Sequence, residues 1–262
     1  MTSPAPAGDL FSLAGQVVLV TGASRGLGWA MARAMAGQGA HVVLNGRDGA
    51  TLAARCEELA AAGHSGEAAA FDVTDEAAAI AALDRLMARH GRLDTIVLNA
   101  GIGVRKPLLE VTTDDYRQVT ETNLTACFVL AREAARRMVP AGRGRIILTA
   151  SVMGFVARPG VAAYAVAKAG LHGLTRALAV ELGPQGITAN AIAPGYFKTE
   201  LNRPLWQDPD SGFARWIEQR TPLGRWGEPD EVAGAAIFLA SPAGAFVSGA
   251  ILAVDGGMLA NL

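Results

Sequence analysis

The sequence contains little cysteine, with only Cys56 and Cys127 among 262 residues. Each lies in a segment with helical periodicity, and neither has a partner at the spacing of a metal site. This scarcity argues against a disulfide framework, and we predict no metal site. We interpret both residues as core thiols of a protein in a reducing compartment, and we expect a cytoplasmic location.

The sequence also lacks an excess of charge of either sign. The formal net charge is -1, only 18% of the residues are charged, and lysine and arginine are scattered. This pattern disfavours nucleic acid as a partner. Residues 1–9, MTSPAPAGD, lack a basic start followed by an apolar core. We therefore predict no secretory signal there and interpret the segment as a short disordered tail.

Long uncharged segments are rare as well. The exception, Val232 to Val254, is long enough to span a bilayer. Ser241-Pro-Ala-Gly244 interrupts it, and its two halves have the patterns of a helix and a strand, so we predict no membrane span. Because no linker or low-complexity stretch divides the chain, residues 10–262 are expected to form one domain.

The chain does contain a regular alternation of short apolar runs with helical segments. The predicted strands are Gln16–Val20, His41–Asn45, Glu67–Val73, Thr95–Leu98, Arg145–Thr149, Thr188–Ile192 and Ala250–Val254. This order predicts an α/β fold of Rossmann type, a doubly wound parallel seven-stranded sheet in a single domain. The pattern loosens over 196–226, which holds three of the four tryptophans. We predict a substrate lid there.

A glycine-containing turn, Thr21-Gly-Ala-Ser-Arg-Gly-Leu-Gly28, follows the first strand and opens a helix. Glycines at 22, 26 and 28 would let a pyrophosphate approach backbone N–H groups at the positive end of that helix. The spacing differs from the common G-x-G-x-x-G pattern, so a glycine-rich turn without a ligand remains the alternative.

The end of the second strand bears on which dinucleotide would bind. Proteins that prefer NAD usually place a carboxylate there. This strand ends in Asn45-Gly46-Arg47, and Arg47 together with Arg25 favours the 2′-phosphate of NADP. Asp48 lies at about the distance expected for such a carboxylate. Capping of the helix that follows is the alternative interpretation of Asp48.

Further polar groups follow the ends of later strands, which converge on one edge of a parallel sheet. Asn99-Ala-Gly101, Ser151 and Pro194 are placed in this way. Tyr164 and Lys168 stand four residues apart and therefore share one helix face. A nearby ammonium favours the phenolate, so this pair is suited to acid/base chemistry.

Together, these motifs resemble the short-chain dehydrogenase/reductase family over about Leu10 to Gly257. The resemblance implies hydride transfer between NADP(H) and a ketone or secondary alcohol. It implies that Tyr164 exchanges a proton with the substrate oxygen, that Ser151 binds that oxygen, and that Lys168 assists Tyr164 and binds the nicotinamide ribose. Asn123, an amide in the middle of the predicted helix 113–138, would position a water that links Lys168 to solvent.

The resemblance also implies a cofactor site, with Asp72 and Val73 at the adenine, Asn99 and Gly101 at the adenosine side, and Gly195 at the nicotinamide end. The predicted set comprises Gly22, Ser24, Arg25, Gly26, Leu27, Gly28, Asn45, Arg47, Asp72, Val73, Asn99, Ala100, Gly101, Tyr164, Lys168, Pro194, Gly195, Phe197 and Thr199. The family often has an asparagine where this chain has Leu98, which we expect to affect packing near the adenine. A homotetramer is implied as well.

A narrower resemblance is to the group of gluconate 5-dehydrogenases. The similar segments are Asp9–Gly15, Val42–Arg47, Ala193–Glu200, Arg220–Gly227 and Val254–Met258. Two substrate-proximal segments, Ile102–Arg105 and Val152–Phe155, are more apolar than in that group, which favours a less polar ketone as the alternative substrate.

The sequence leaves two other functions open. One is a 3-oxoacyl thioester reductase, whose acidic carrier protein could meet Arg105, Lys106, Arg136 and Arg137, although a solvated helix face explains these residues as well. The other is an NADP-binding sensor without turnover, against which the intact Ser151, Tyr164 and Lys168 argue.

Overall fold

The computed structural model describes residues 10–208 and 212–261, and the tail predicted at 1–9 lies outside them. Over the described residues, seven parallel strands form one sheet in the order β3-β2-β1-β4-β5-β6-β7. The strands are β1 Val17–Val20, β2 His41–Gly46, β3 Gly66–Ala70, β4 Thr95–Leu98, β5 Gly144–Thr149, β6 Ile187–Pro194 and β7 Ile251–Val254. The predicted fold class is confirmed.

Helices cover both faces of this sheet. They are α1 Gly26–Gly37, α2 Gly49–Ala61, α3 Glu76–His90, α4 Thr113–Thr120, α5 Ala126–Met138, α6 Ala162–Leu182, α7 Arg203–Trp206, α8 Gly212–Arg220 and α9 Ala233–Ala240. One face of β1 packs through Leu19 into a cluster with α3, α5 and α6. Val18 and Val20 face α1, α2 and α9. Burial on both faces explains why the strand is continuously apolar rather than alternating.

The third strand is shorter than predicted. It ends at Ala70, so Asp72 and Val73 lie beyond it rather than within it. The reason is local, because the Asp72 side chain accepts a hydrogen bond from the backbone N–H of Thr74, 3.0 Å away, and closes a turn.

The stretch 113–138 was predicted as one helix, but a π-helical turn, Glu121–Thr125, separates α4 from α5. Here the N–H of Ala126 donates to the carbonyl of Glu121, five residues back. Single π turns are frequent at functional sites. Asn123 lies in this turn and is fully buried.

The segment 196–226 is more ordered than its pattern predicted, since it contains α7 and α8. These helices have four and nine residues, too few for a clear helical period in the sequence. Ile217 of α8 and Trp226 are buried together with Met258. The segment therefore packs on its own small apolar cluster beside the sheet.

The stretch Val232–Val254 contains a helix and then a strand, as predicted, because α9 is followed by β7. Among the described residues, no helix has the combination of length and apolarity that crossing a membrane requires. Both cysteines are free thiols. Cys127 is buried as predicted, whereas Cys56 is only half-buried on α2.

Candidate active site

A cleft of about 500 Å³ opens beyond the carboxyl ends of the strands. Two of the predicted residues, Gly28 and Asn123, are absent from its lining. The predicted residues that line it are Gly22, Ser24, Arg25, Gly26, Leu27, Asn45, Arg47, Asp72, Val73, Asn99, Ala100, Gly101, Ser151, Tyr164, Lys168, Pro194, Gly195, Phe197 and Thr199. The parallel topology brings these distant residues to one edge.

The glycine turn after β1 is shaped by two left-handed residues, Gly22 at φ 63° and Gly26 at φ 55°. A Cβ at Gly22 would lie 2.9 Å from Cα of Ala100, so the two loops touch through backbone. Gly28 lies behind the turn, where a Cβ would come within 2.3 Å of the Gly22 carbonyl oxygen. Gly28 therefore has a packing role that keeps the turn tight, and its predicted contact with the cofactor stays a prediction.

Asn99 joins the loop after β4 to the glycine turn. Its Nδ2 donates to the carbonyls of Thr21 and Gly22, at 3.0 and 3.3 Å. In return, Thr21 Oγ1 accepts from the N–H groups of Asn99 and Ala100, at 2.8 and 3.0 Å. The Asn99 amide is thus held by protein partners, and it fixes the floor of the cleft.

Asn45 has a similar structural task at the end of β2. Its Nδ2 donates to the carbonyls of Ala69 and Phe71, at 3.1 and 3.0 Å. These bonds hold the end of β2 to the end of β3, and Asn45, Gly46 and Arg47 all line the cleft there.

Asp48 is a helix cap. Its Oδ1 accepts from the N–H of Ala50 at 3.0 Å, and its Oδ2 accepts from Thr51 Oγ1. These hydrogen bonds lower the pKa of Asp48, the Thr51 hydroxyl having the largest effect. Asp48 is also absent from the cleft lining. Of the two interpretations that the sequence left open, the structure supports capping of α2.

The far end of the cleft presents Asp72 and Val73. The carboxylate of Asp72 accepts from the N–H and the hydroxyl of Thr74, at 3.0 and 2.8 Å. These hydrogen bonds lower the pKa of Asp72, and the charge of Arg47 adds to the effect. Both bonds use Oδ1, so Oδ2 remains available to a hydrogen-bond donor in the cleft.

The opposite end of the cleft brings Ser151, Tyr164 and Lys168 together. Lys168 is 4% exposed, and its Nζ donates to the carbonyl of Thr149, 2.6 Å away, at the end of β5. The same nitrogen lies 5.5 Å from the centre of the Tyr164 ring. Ser151 follows β5 by two residues and is held by the N–H of Met153, which donates to its Oγ at 3.1 Å. An acid, an ammonium and a hydroxyl thus face the same volume.

Asn123 does not enter this volume with its side chain. Its Oδ1 accepts from the N–H of Ile102 and its Nδ2 donates to the carbonyl of Ile102, both at 2.8 Å. Oδ1 and Nδ2 each have one hydrogen-bond partner in the backbone of Ile102, and the water that was predicted beside Asn123 stays a prediction. The side chain instead positions the loop of Ile102, which lines the cleft.

Two guanidinium groups, those of Arg105 and Arg158, lie close to one another outside the cleft lining, and Arg105 also interacts electrostatically with Tyr164. Arg105 Nη2 donates to Asn202 Oδ1 at 2.7 Å, and Arg158 Nε donates to the hydroxyl of Tyr196 at 3.0 Å. Burial lowers the pKa of Arg105, and the charge of Arg158 lowers it further. Neither arginine forms an ion pair with a described residue. An anion bound between them would relieve this repulsion.

The apolar segment 152–155 is not a wall of the cleft. Val152 and Met153 are buried in the cluster with Trp226, and the Phe155 ring lies 4.4 Å from that of His172. Of the residues expected to make the pocket apolar, only Ile102 lines the cleft.

Sequence reasoning missed several lining residues. They are Gly46, Phe71, Thr74, Ile102, Gln118, Glu121, Thr122, Thr149, Ala150, Glu200 and Asn202. Gly46, Phe71 and Thr74 are sequence neighbours of predicted residues, so their place in the cleft could have been predicted. Gln118, Glu121 and Thr122 lie on α4 and the π turn, whose position over the cleft has no local signature.

The cleft fits a nicotinamide dinucleotide. Its lining runs across the strand ends, with Arg47 and Asp72 beyond β2 and β3 at one end and Tyr164 and Lys168 beside β5 at the other. Between the two ends, the glycine turn offers backbone to a pyrophosphate at the start of α1. Each part of such a ligand therefore meets groups of suitable chemistry.

Comparison with known proteins agrees with this geometry. A family model described as enoyl-(acyl carrier protein) reductase, within the short-chain dehydrogenases, matches residues 22–259. The chain is 43% identical over 254 residues to gluconate 5-dehydrogenase of Gluconobacter oxydans (strain 621H), covering 97% of this chain and 98% of that protein. It is also 43% identical to cis-4-hydroxycyclohexanecarboxylate dehydrogenase of Sinomonas cyclohexanicum, over 251 residues, 95% of this chain and 98% of that protein.

A solved structure extends the likeness to three dimensions. The crystal structure of a gluconate 5-dehydrogenase from Burkholderia cenocepacia J2315, in complex with NADP and tartrate, superposes with a TM-score of 0.94 at 43% identity, covering 98% of this chain and all of that one. With the cleft, the glycine turn and the Ser151, Tyr164 and Lys168 constellation in place, the chain belongs to the short-chain dehydrogenase/reductase family of oxidoreductases.

Proposed function

We propose that this protein is an NADP-dependent oxidoreductase that interconverts a keto acid and the corresponding secondary alcohol, with 5-ketogluconate and gluconate as the first pair to test. The observation that carries the proposal is the buried Lys168 beside Tyr164, opposite Ser151 at one end of the cleft. The named relatives support the same reaction class.

The chemistry of the site follows from these side chains. When bound, the nicotinamide supplies or accepts the hydride. Tyr164 donates a proton to the ketone oxygen in reduction and removes it from the alcohol in oxidation. Ser151 Oγ hydrogen-bonds that same oxygen and orients the carbonyl. Lys168, anchored on Thr149, keeps a positive charge beside the phenol in both directions.

The preference for NADP rests on the end of β2. Arg25 and Arg47 both line the cleft, and neither forms an ion pair with a described residue. The carboxylate of Asp48, which would repel a 2′-phosphate, is turned into the cap of α2. Two guanidinium groups in the cleft, with the Asp48 carboxylate engaged in the cap, favour the phosphorylated ribose. Asp72 Oδ2 would accept from the adenine amino group.

The substrate class rests on Arg105 and Arg158. The relatives named for gluconate and for cis-4-hydroxycyclohexanecarboxylate share one chemical feature, a carboxylate several bonds away from the reacting carbinol. Arg105 interacts electrostatically with Tyr164 and with Arg158, and neither arginine has an ion-pair partner among the described residues, so an anion between them would relieve their mutual repulsion. We therefore place the substrate carboxylate between these two arginines.

The acyl-carrier alternative is less well supported. Of the four cations considered for an acidic carrier, Lys106 pairs with Asp115 at 2.7 Å, Arg136 with Glu133 at 2.6 Å, and Arg137 with Asp84 at 2.5 Å. Their charges are largely neutralised within the chain. Of the four, only Arg105 has no carboxylate partner among the described residues. A single cation of this kind suits a small carboxylate better than the acidic surface of a carrier protein.

The test is steady-state reduction with NADPH and NADH side by side. The substrates are 5-ketogluconate, 4-oxocyclohexanecarboxylate, cyclohexanone and acetoacetyl thioester. We expect NADPH to be preferred and the ring ketone with a carboxylate to exceed cyclohexanone at least tenfold in kcat/KM. Equal rates for the two ring ketones would overturn the carboxylate assignment. Absence of turnover with every ketone would instead support the sensor.

A matched variant pair separates binding from chemistry. Arg105→Met should raise KM for the keto acids about tenfold to a hundredfold, since a charged hydrogen bond contributes about 1.5–3 kcal/mol. Cyclohexanone reduction should be unchanged. Arg117→Met, an exposed arginine on α4, serves as the control.

Three further features complete the proposal. The segment 196–226 acts as a lid, because Thr199 and Asn202 line the cleft while Trp216 stays 43% exposed.

Chains associate as a homotetramer through α5, α6 and the region of β7, where Phe128, Val166, Val180 and Phe246 are exposed apolar side chains. The location is cytoplasmic, in keeping with two free thiols. Light scattering on the purified protein tests the tetramer.

A further inference from the structure

Two of the four histidines of the chain lie side by side at the end of the sheet away from the cleft. His41 is the first residue of β2 and His90 the last residue of α3. Their ring centres are 4.6 Å apart. Residue 46 at the other end of β2 reaches the cleft, roughly 17 Å away at 3.3 Å per residue. The pair therefore has no part in the chemistry proposed above.

A carboxylate completes this cluster. Glu67, the second residue of the edge strand β3, places Oε1 2.9 Å from His90 Nε2. One ligand atom from each of His41, Glu67 and His90 lies within 4.8 Å of the other two. Two imidazoles and one carboxylate are a donor set that suits zinc.

Part of the hydrogen-bonding capacity of this cluster is unused. His41 Nδ1 lies 2.6 Å from Ser65 Oγ, which fixes the ring and leaves Nε2 buried without a hydrogen-bond partner. Glu67 Oε2 is buried as well, and its ion-pair partner is Arg89 Nη1, 2.7 Å away. An unpaired buried nitrogen is costly, and a cation would satisfy His41 Nε2 and take the place of Arg89 at Glu67. A hydrogen bond to the second ring nitrogen is also the usual support of a metal-binding histidine.

The geometry needs only small adjustments to bind a metal. Ligand atoms around tetrahedral zinc lie roughly 3.3 Å apart, given bonds of about 2.0–2.1 Å. Side-chain rotation of His90 and Glu67, each 18% exposed, closes the remaining gap and leaves room for a water as fourth ligand. Arg89 is 70% exposed and can turn into solvent when the cation replaces it.

We propose that His41 Nε2, His90 Nε2 and the Glu67 carboxylate bind one zinc ion. The ion would connect the paired strands β2 and β3 to the end of α3. It stabilises the edge of the sheet and takes no part in hydride transfer.

The experiment uses untagged full-length protein, stripped with EDTA and dialysed. Zinc chloride is titrated calorimetrically, and zinc retained after gel filtration is measured by mass spectrometry. We expect one zinc per chain and a rise in Tm on zinc addition. His41→Gln, His90→Gln and Glu67→Gln should each weaken binding at least tenfold and abolish the rise in Tm.

The matched control is His64→Gln, which removes a histidine outside the cluster. It should retain one zinc per chain. The proposal is overturned if the wild type retains no zinc, or if His90→Gln and Glu67→Gln bind it as tightly as His64→Gln does. Each cluster variant should keep the keto-acid reductase activity without zinc, which also shows that it is folded.

Discussion

Lys168 Nζ donates a 2.6 Å hydrogen bond to the carbonyl oxygen of Thr149, and this bond joins the helix that bears Tyr164 to the strand that leads to Ser151. Lys168 is almost fully buried there. An ammonium in such a place needs compensating partners, because burial of an unpaired charge is costly. The bond therefore holds the helix of Tyr164 against the strand that leads to Ser151, the two parts of the proposed catalytic site.

Removal of the Tyr164 hydroxyl should abolish most of the activity. Tyr164→Phe is expected to lower kcat about 10²- to 10⁴-fold, the usual contribution of a positioned acid or base. Binding of NADPH, measured by fluorescence titration, should persist. Tyr116→Phe, on the exposed part of α4, is the matched control and should leave kcat unchanged. Comparable kcat values for the two variants would contradict the role assigned to Tyr164.

Arg47 should determine the preference between the two dinucleotides. Arg47→Ala is expected to raise KM for NADPH about tenfold to a hundredfold and to leave KM for NADH nearly unchanged, since only NADPH has the 2′-phosphate. Steady-state kinetics at saturating keto acid measures both constants. Arg33→Ala, which disrupts an exposed ion pair with Asp230, is the control. A parallel rise of both constants would show that Arg47 acts on the fold rather than on the phosphate.

Gly154 leaves no room for a side chain beside His172. A Cβ there would lie 2.6 Å from the imidazole and 2.9 Å from the carbonyl oxygen of Lys168. Gly154→Ala should therefore destabilise the protein by about 1–3 kcal/mol, as overpacking does, and lower kcat by displacing the loop of Ser151. Urea unfolding and steady-state kinetics measure the two effects.

Helix α6, which contributes His172 and Lys168 to this contact, provides the control for that substitution. A Cβ at Gly173 would meet nothing within 4 Å. Gly173→Ala should stabilise the protein by about 0.5–1 kcal/mol, because glycine in a helix interior costs that much relative to alanine. If Gly154→Ala proved equally harmless, the loop of Ser151 would have to be more adaptable than its packing indicates.

Glu231 should contribute to stability only above acidic pH. Two hydrogen bonds from Arg225, and then one from the N–H of Glu228, lower the pKa of Glu231 to about 2. Since the folded-state pKa lies below the ordinary 4.5, the stabilisation is complete above about pH 4.5 and is lost as pH falls towards 2.

The measurement is Tm against pH for wild type and Glu231→Gln. The variant should melt lower at pH 7, by a modest amount because the pair is half exposed, and the difference should shrink below pH 4.5. Glu57→Gln, an exposed residue of α2, is the control and should track the wild type. A difference that stays constant down to pH 2.5 would show that the effect of the variant is not electrostatic.

Much of the fold could be predicted because its signals are local. Burial on both faces makes β1 and β4 continuously apolar, so these strands are visible in the sequence. The π turn at Glu121–Thr125 was not predicted, because weak helix formers such as Thr122 and Asn123 also occur inside regular helices and no local pattern marks a π turn. The helices of 196–226 were missed since a helix of four to nine residues shows little periodicity.

The sequence by itself determined the reaction class of this protein. The order of the strands, the glycine turn, Ser151, and the four-residue spacing of Tyr164 and Lys168 are all local patterns whose convergence follows from parallel topology. Such motifs are readable because a strand end or one turn of a helix imposes a fixed spacing on its residues.

Only the tertiary structure decided which side chains the protein uses for itself. It turned Asp48 into a helix cap, tied Asn123 to Ile102, and placed Arg105 and Arg158 near one another. It also gathered His41, Glu67 and His90 from three separate elements. Apart from the cap at Asp48, these relationships join residues 20 or more positions apart in the chain. For Asp48, the structure decided between two possible hydrogen-bond partners, the start of α2 and a cofactor ribose. Packing resolves such choices, because hydrogen bonds and burial depend on distance in space rather than along the chain.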